Sequence, residues 1–225
     1  EVGELLSLVE GSDLAADPIS VEAVNIREVR REYDRMVKLP RSLVEALARV
    51  TTLAQQVWTE ARAGSDFEMF RPHLEEVVKL KQEEAAALDV GATPYDSLLD
   101  AYEPGETSEN VRRVFDSLRS ELVGLVEAIS GSARRPDTTI LERNFPVDRQ
   151  EAFGREVAEK IGFDFGRGRL DVTTHPFCCG VGPGDTRITT RYDRNMFSQA
   201  FFGILHEVGH GLYDQGMDPE HYGTP

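Results

Sequence analysis

Cysteine is nearly absent from this chain of 225 residues: there are two, Cys178 and Cys179, side by side. Neighbouring cysteines seldom bridge without straining the backbone, so no disulfide framework is expected and a reducing, cytoplasmic setting fits. No run of about 18 apolar residues exists, which argues against a bilayer-spanning helix. Basic charge is scarce as well. The 25 Lys and Arg stand against 40 Asp and Glu, a formal net charge of −15. With no Lys/Arg cluster in that acidic background, nucleic acid and anionic membranes are poor partners. Fixed-period repeats, low-complexity tracts and a secretory signal pattern are missing too. The chain starts at Glu1 rather than Met, so a removed N-terminus is compatible with it.

The remainder is a soluble-protein pattern long enough for one large or two small domains. Residues 1–131 read as helices with marked breaks. Asp17-Pro18 looks like a cap and first turn, followed by Val21, Val24, Val29, Tyr33 and Val37 at helical spacing up to Pro40. Ser42 with Glu45, and Ser65 with Glu68, have capping-box spacing, and Pro72 is expected to open a fresh helix to about Leu88. Val111, Val114, Phe115, Leu118, Leu122, Leu125 and Ile129 form the clearest amphipathic stripe. Such stripes, with Trp58 and the phenylalanines, are read as core, and His73 as structural. After Gly131 the character changes. Asp148 and Glu151 cap a helix, then Arg169–Thr173 and Thr186–Tyr192 read as strands joined by a Gly/Pro-rich connection. Those glycines lack GxGxxG spacing, so a phosphate loop is rejected. The expected fold is mainly α, a multi-helix array with a small antiparallel sheet beside the last helix. It is expected as a single domain over 1–225, helical over 1–131 and sheet plus helix over 132–225.

That last helix carries His206-Glu207-Val208-Gly209-His210. Histidines four apart share one helix face and can reach one ion, while Glu207 lies about 100° around, outside the ligand shell but near a metal-bound water. This is HExxH: two ligands and a general base that takes a proton from that water. Phe197, Phe201, Ile204, Leu205, Val208 and Leu212 recur at three and four, Asn195 is a plausible N-cap and Gly216 a plausible C′ residue. The competing reading is a buried helix whose histidines are satisfied by carbonyls.

Three neighbouring motifs then coincide: His175-Pro176-Phe177, Asp185-Thr186-Arg187-Ile188-Thr189, and the HExxH stretch with Gly211-Leu212-Tyr213 after it. In this order they resemble the HPF, DxRxT and HExxH series of the M32 metallocarboxypeptidases, the thermostable Taq-type family. Upstream text is similar too, at Tyr33 to Pro40, Trp58 with Ala61-Arg62, Asp66-Phe67 and Pro94-Tyr95-Asp96. The resemblance implies a mostly helical, grooved enzyme that removes single residues from free peptide C-termini with zinc, or sometimes cobalt, and that forms a homodimer at full length. His206 and His210 would be ligands and Glu207 the base. His175 would shape the substrate pocket. Asp185 could orient a ligand histidine and Arg187 could pair with a carboxylate, either the substrate's terminus or a structural partner such as Asp185.

Members of the family are longer, and their third ligand is a Glu on a later helix, so the resemblance makes this chain an internal fragment, weak or inactive alone. Cys178-Cys179 is a departure from the family pattern, and buried inert thiols are expected there. A metzincin's third histidine would fall at 216, which is Gly. Asp214, one turn beyond His210, and Glu220 and His221 past the helix end are the local candidates for a third ligand. Two other functions fit the same residues: another HExxH peptidase, acting as an endopeptidase, or a non-catalytic helical module that assembles through its apolar stripes.

Overall fold

A computed structural model describes residues 1–141 and 143–224. The chain divides into two compact units, residues 1–132 and residues 133–224.

The first unit is helical. It contains α1 (Val2–Glu10), α2 (Val21–Lys38), α3 (Arg41–Gly64), α4 (Phe67–Leu88), α5 (Pro94–Leu99) and α6 (Ser108–Gly131). Leu43, Ala54 and Ala61 of α3 and Leu80, Ala85 and Leu88 of α4 are buried, small and branched side chains alternating so that the hairpin closes. The helix starts differ from those expected. Ser20, not Asp17, caps α2 by accepting the Ala23 N–H at 3.1 Å. Arg41 opens α3 directly after Pro40, with no side-chain cap. Asp66 caps α4 by accepting the Met69 N–H, and Pro72 lies inside that helix instead of starting another. Once the Asp66 cap has begun the helix a turn earlier, Pro72 costs a single intrahelical bond and the rod continues. Thr93 and Asp96 form a reciprocal capping box on α5.

The amphipathic stripe of α6 is not core in this structure. No residue of α6 is buried, and Phe115 and Ile129 are 62% and 61% exposed. Periodicity reports that a helix has an apolar face; only the packing of other elements decides whether that face is covered.

The second unit is built around a three-stranded sheet. It comprises α7 (Val147–Lys160), β1 (Gly168–Val172), β2 (Cys178–Gly182), β3 (Asp185–Thr190) and α8 (Phe197–Gly216). The small sheet is present, but it is mixed rather than wholly antiparallel. The strand order is β1-β3-β2, with β2–β3 antiparallel and β1–β3 parallel. The stretch expected as a connection supplies the missing strand, because a tight turn at Pro183-Gly184, with φ +75° at Gly184, folds β2 back on β3. The segment 173–184 then provides the crossover of about a dozen residues that parallel neighbours need.

Ala158, Phe163, Leu170, Ile188, Ile204 and Val208 form one buried cluster where α7, β1, β3 and α8 meet. Close approach sets its geometry. A Cβ on Gly154 of α7 would lie 2.5 Å from Ile204 Cδ1, and one on Gly211 of α8 would lie 2.6 Å from Phe163 Cε2. Gln150 Nε2 donates to the carbonyls of Phe145 and Asp193, and Gln215 pairs with the backbone of Asp164 in both directions. Those bonds hold α8 near both of its ends.

Candidate metal centre

The start of α8 is not capped by Asn195; Met196 takes that position without a side-chain bond, and Gly216 is the last helical residue. Ala200, Ile204, Glu207, Val208 and Gly211 are buried, while His206 and His210 are exposed on the adjoining face. The amphipathic pattern therefore seats α8 by its apolar stripe and leaves the two imidazoles facing a groove.

Their placement fits a metal. His206 Nε2 and His210 Nε2 lie 3.3 Å apart, with the rings at 83° to each other. Two ring nitrogens bound at about 2.0–2.1 Å to a tetrahedral ion stand about 3.3–3.4 Å from one another. The helix thus already holds the pair at chelating separation. The competing reading, histidines buried against carbonyls, fails on exposure and on the bond the rings make to each other.

The groove occupies about 470 Å³ and is lined by His175, Pro176 and Phe177 on one wall and by His206, Glu207, His210 and Asp214 on the other. Glu207 is 6% exposed, and among the described residues no Lys or Arg forms an ion pair with it. Its side chain lines the groove together with both imidazoles. Thr189 fastens the opposite wall: its hydroxyl accepts the Phe177 N–H at 2.8 Å, and its own N–H and hydroxyl both reach the Phe177 carbonyl. The last residue of the DxRxT run therefore holds the HPF run in place.

Asp185 and Arg187 are placed elsewhere. They form a bidentate pair with each other at 2.8 and 3.1 Å, each about 40% exposed. The alternating partners Thr186 and Ile188 face α8 and the core, so the charged pair projects from the other face of β3. A parallel pair, Arg169–Asp171 on β1, lies alongside. The Arg187 guanidinium holds the Asp185 carboxyl below its ordinary range, and Asp185 raises Arg187 in turn.

Among the described residues no third histidine, cysteine or carboxylate joins the pair closely enough to make a three-ligand group. Asp214 is too far along the rod: it stands about 6 Å beyond His210 and about 12 Å beyond His206 by helical rise, beyond the reach of an aspartate to a shared ion. Its carboxylate instead accepts the Thr186 hydroxyl. Glu220 and His221 lie in a short 3₁₀ turn after α8 and do not line the groove. Cys178 and Cys179 are both free; Cys178 packs against the core cluster, and burial, with Asp214 and Glu207 nearby, pushes its thiol up to about 11. Sequence reasoning did not find the roles of Thr186 and Thr189. Only the strand pairing that brings them to α8 and the HPF run reveals them.

A family model described as Carboxypeptidase Taq (M32) metallopeptidase matches residues 1–225. Thermostable carboxypeptidase 1 of Thermus thermophilus is 45% identical over 233 residues, taking in 100% of this chain and 46% of that protein. Carboxypeptidase 1 of Bacillus subtilis is 35% identical over 195 residues, 87% of this chain and 39% of that one. Among solved structures, the BsuCP crystal structure superposes with a TM-score of 0.92 at 32% identity, over 99% of this chain and 44% of its own. The M32 carboxypeptidase from Deinococcus radiodurans R1 gives 0.80 at 35%, again over 99% and 44%. This chain spans less than half the length of the curated relatives it matches.

Proposed function

Because the chain belongs to the Carboxypeptidase Taq (M32) metallopeptidase family, we propose that it carries the metal-binding core of an enzyme that hydrolyses the C-terminal peptide bond of peptides. The observation that carries this reading is the 3.3 Å approach of His206 Nε2 and His210 Nε2 beside a buried Glu207. A divalent ion on those nitrogens, zinc in our reading and cobalt as its substitute, would supply Lewis-acid polarisation of the scissile carbonyl and acidify the attacking water.

The chain's own residues do the rest. The Glu207 carboxylate takes a proton from the attacking water and returns it to the leaving amine. His175, Pro176 and Phe177, held by Thr189, wall the side of the groove that faces the histidines and limit what can lie across them. Asp185 and Arg187 brace the sheet through their mutual pair, an arrangement that supports the structural of their two expected roles. With two ligands among the described residues, the 225-residue chain by itself holds metal weakly and turns peptides over slowly. Peptides with a free C-terminus are its substrates, two full-length copies form the working assembly, and a reducing, cytoplasmic setting suits two free thiols. Among the described residues no helix is long and apolar enough to cross a membrane.

The test uses the polypeptide at the length its gene encodes, with a short peptide offered as free acid and as C-terminal amide. The free acid is cleaved, the amide is spared, and Glu207→Gln lowers the rate by about 10²–10⁴-fold, the usual range for a general base. Full activity in Glu207→Gln refutes the mechanism. Equal cleavage of the amide makes the enzyme an endopeptidase.

A further inference from the structure

Asp214 lies on α8 one turn past His210, at the end of the groove where its two walls converge. One carboxylate oxygen, Oδ2, accepts the hydroxyl of Thr186 on β3. The other side of the carboxylate rests on β2: a Cβ added to Gly180 would lie 2.7 Å from Asp214 Oδ1 and 3.0 Å from Oδ2. Aspartate thus fills a notch that exists because residue 180 has no side chain, and a hydroxyl on the neighbouring strand fixes its orientation. β2 runs on from the HPF wall, which ends at Phe177, while α8 is the histidine wall. The Thr186–Asp214–Gly180 contact is where those walls are tied together.

Resting on the metal-site reading above, we propose that Asp214 is a positioning residue: through Thr186 and Gly180 it sets the angle at which α8 presents His206 and His210 to the HPF wall. The lever is long. His210 and His206 stand about 6 and 12 Å along the helix from Asp214, so a tilt of about 5° at the vertex keeps their mutual separation but moves His206 by about 1 Å relative to any ligand or wall held outside α8. Metal sites tolerate about 0.2 Å in ligand distance, and residues that orient ligands typically influence metal affinity by about 10–100-fold. Asp214 reaches the ion through the helix, not by contact, so the effect belongs at the lower end of that range.

The experiment is a zinc competition titration with a cobalt absorption spectrum, on the polypeptide at its encoded length. Wild type, His210→Ala, Thr186→Val, Thr186→Ser and Gly180→Ala are compared, and thermal melts verify folding. Thr186→Val removes the hydroxyl and keeps the shape; its zinc dissociation constant rises about 10-fold and its cobalt bands shift, while Thr186→Ser restores both. Gly180→Ala acts from the other strand and gives the same loss with Thr186 intact, so the inference survives a Thr186→Val protein that does not fold. Folded Thr186→Val or Gly180→Ala with wild-type zinc affinity and cobalt bands overturns it, because a strut that only stabilises the fold would leave both unchanged. Wild type binding zinc no better than His210→Ala overturns the metal reading, and the positioning role falls with it.

Discussion

Two glycines of α8, two residues apart, should respond to alanine with opposite signs. Gly209 is exposed, and nothing lies within 4 Å of where its Cβ would sit. Gly209→Ala therefore gains only helix propensity, about 1 kcal/mol. Gly211 is buried, and its Cβ would meet Phe163 Cε2 at 2.6 Å, Phe163 Cδ2 at 3.0 Å and Ile188 Cγ2 at 3.3 Å. Phe163 is 1% exposed and set edge-on against Phe165 at 4.9 Å, while Ile188 is fully buried, so neither neighbour can swing away. Overpacking of this kind costs about 1–3 kcal/mol, which offsets the propensity gain and leaves Gly211→Ala destabilising by up to about 2 kcal/mol. The single tryptophan, Trp58, lies in the other unit, so a probe within this one is needed. Amide hydrogen exchange across Phe197–Gly216 reads the right region. Protection should rise in Gly209→Ala and fall in Gly211→Ala. Equal stabilisation by both would refute the claim that α8 sits against Phe163 at backbone distance.

Asp96 accepts the N–H of Ser108 at 2.7 Å and that of Thr93 at 2.9 Å, and these bonds hold its carboxyl at about 2. Its folded value lies below the ordinary one, so its contribution is present above about pH 4 and lost as the pH falls towards about 2; amide protection factors at the α5–α6 junction, taken relative to intrinsic rates at each pH, should fall over that window, and Asp96→Asn should flatten the response. Cys178 stays protonated until about pH 11, whereas Cys179 is exposed, so iodoacetamide at pH 8 should label Cys179 first by peptide mass mapping; preferential labelling of Cys178 would contradict its packing. Leu118→Gln and Leu125→Gln on α6 should shift the stability of this 225-residue chain by less than about 0.5 kcal/mol, and a larger loss on denaturant titration would mean that the stripe is covered after all.

The residues by themselves determined that α8 is a helix, that His206 and His210 share one of its faces and that Glu207 stands beside them, because a 3.6-residue period and i, i+4 spacing are properties of one continuous segment. They also located the strands at 169–173 and 186–192 to within two residues, and the three motifs that mark the family. Tertiary structure decided what depends on partners remote in sequence. A two-residue alternation makes β3 a strand but does not say that β1 pairs with it in parallel, nor that Cys178–Gly182 forms a third strand. The stripe of α6 has the same period as a core helix, yet its exposure is set by elements that pack, or do not pack, against it. Asp185 and Arg187 sit on β3 beside Thr186, and the pleat sends the pair away from α8 while Thr186 reaches Asp214. Local periodicity is written in neighbouring residues, whereas the pleat, the register and the closeness of two backbones exist only once distant segments have met.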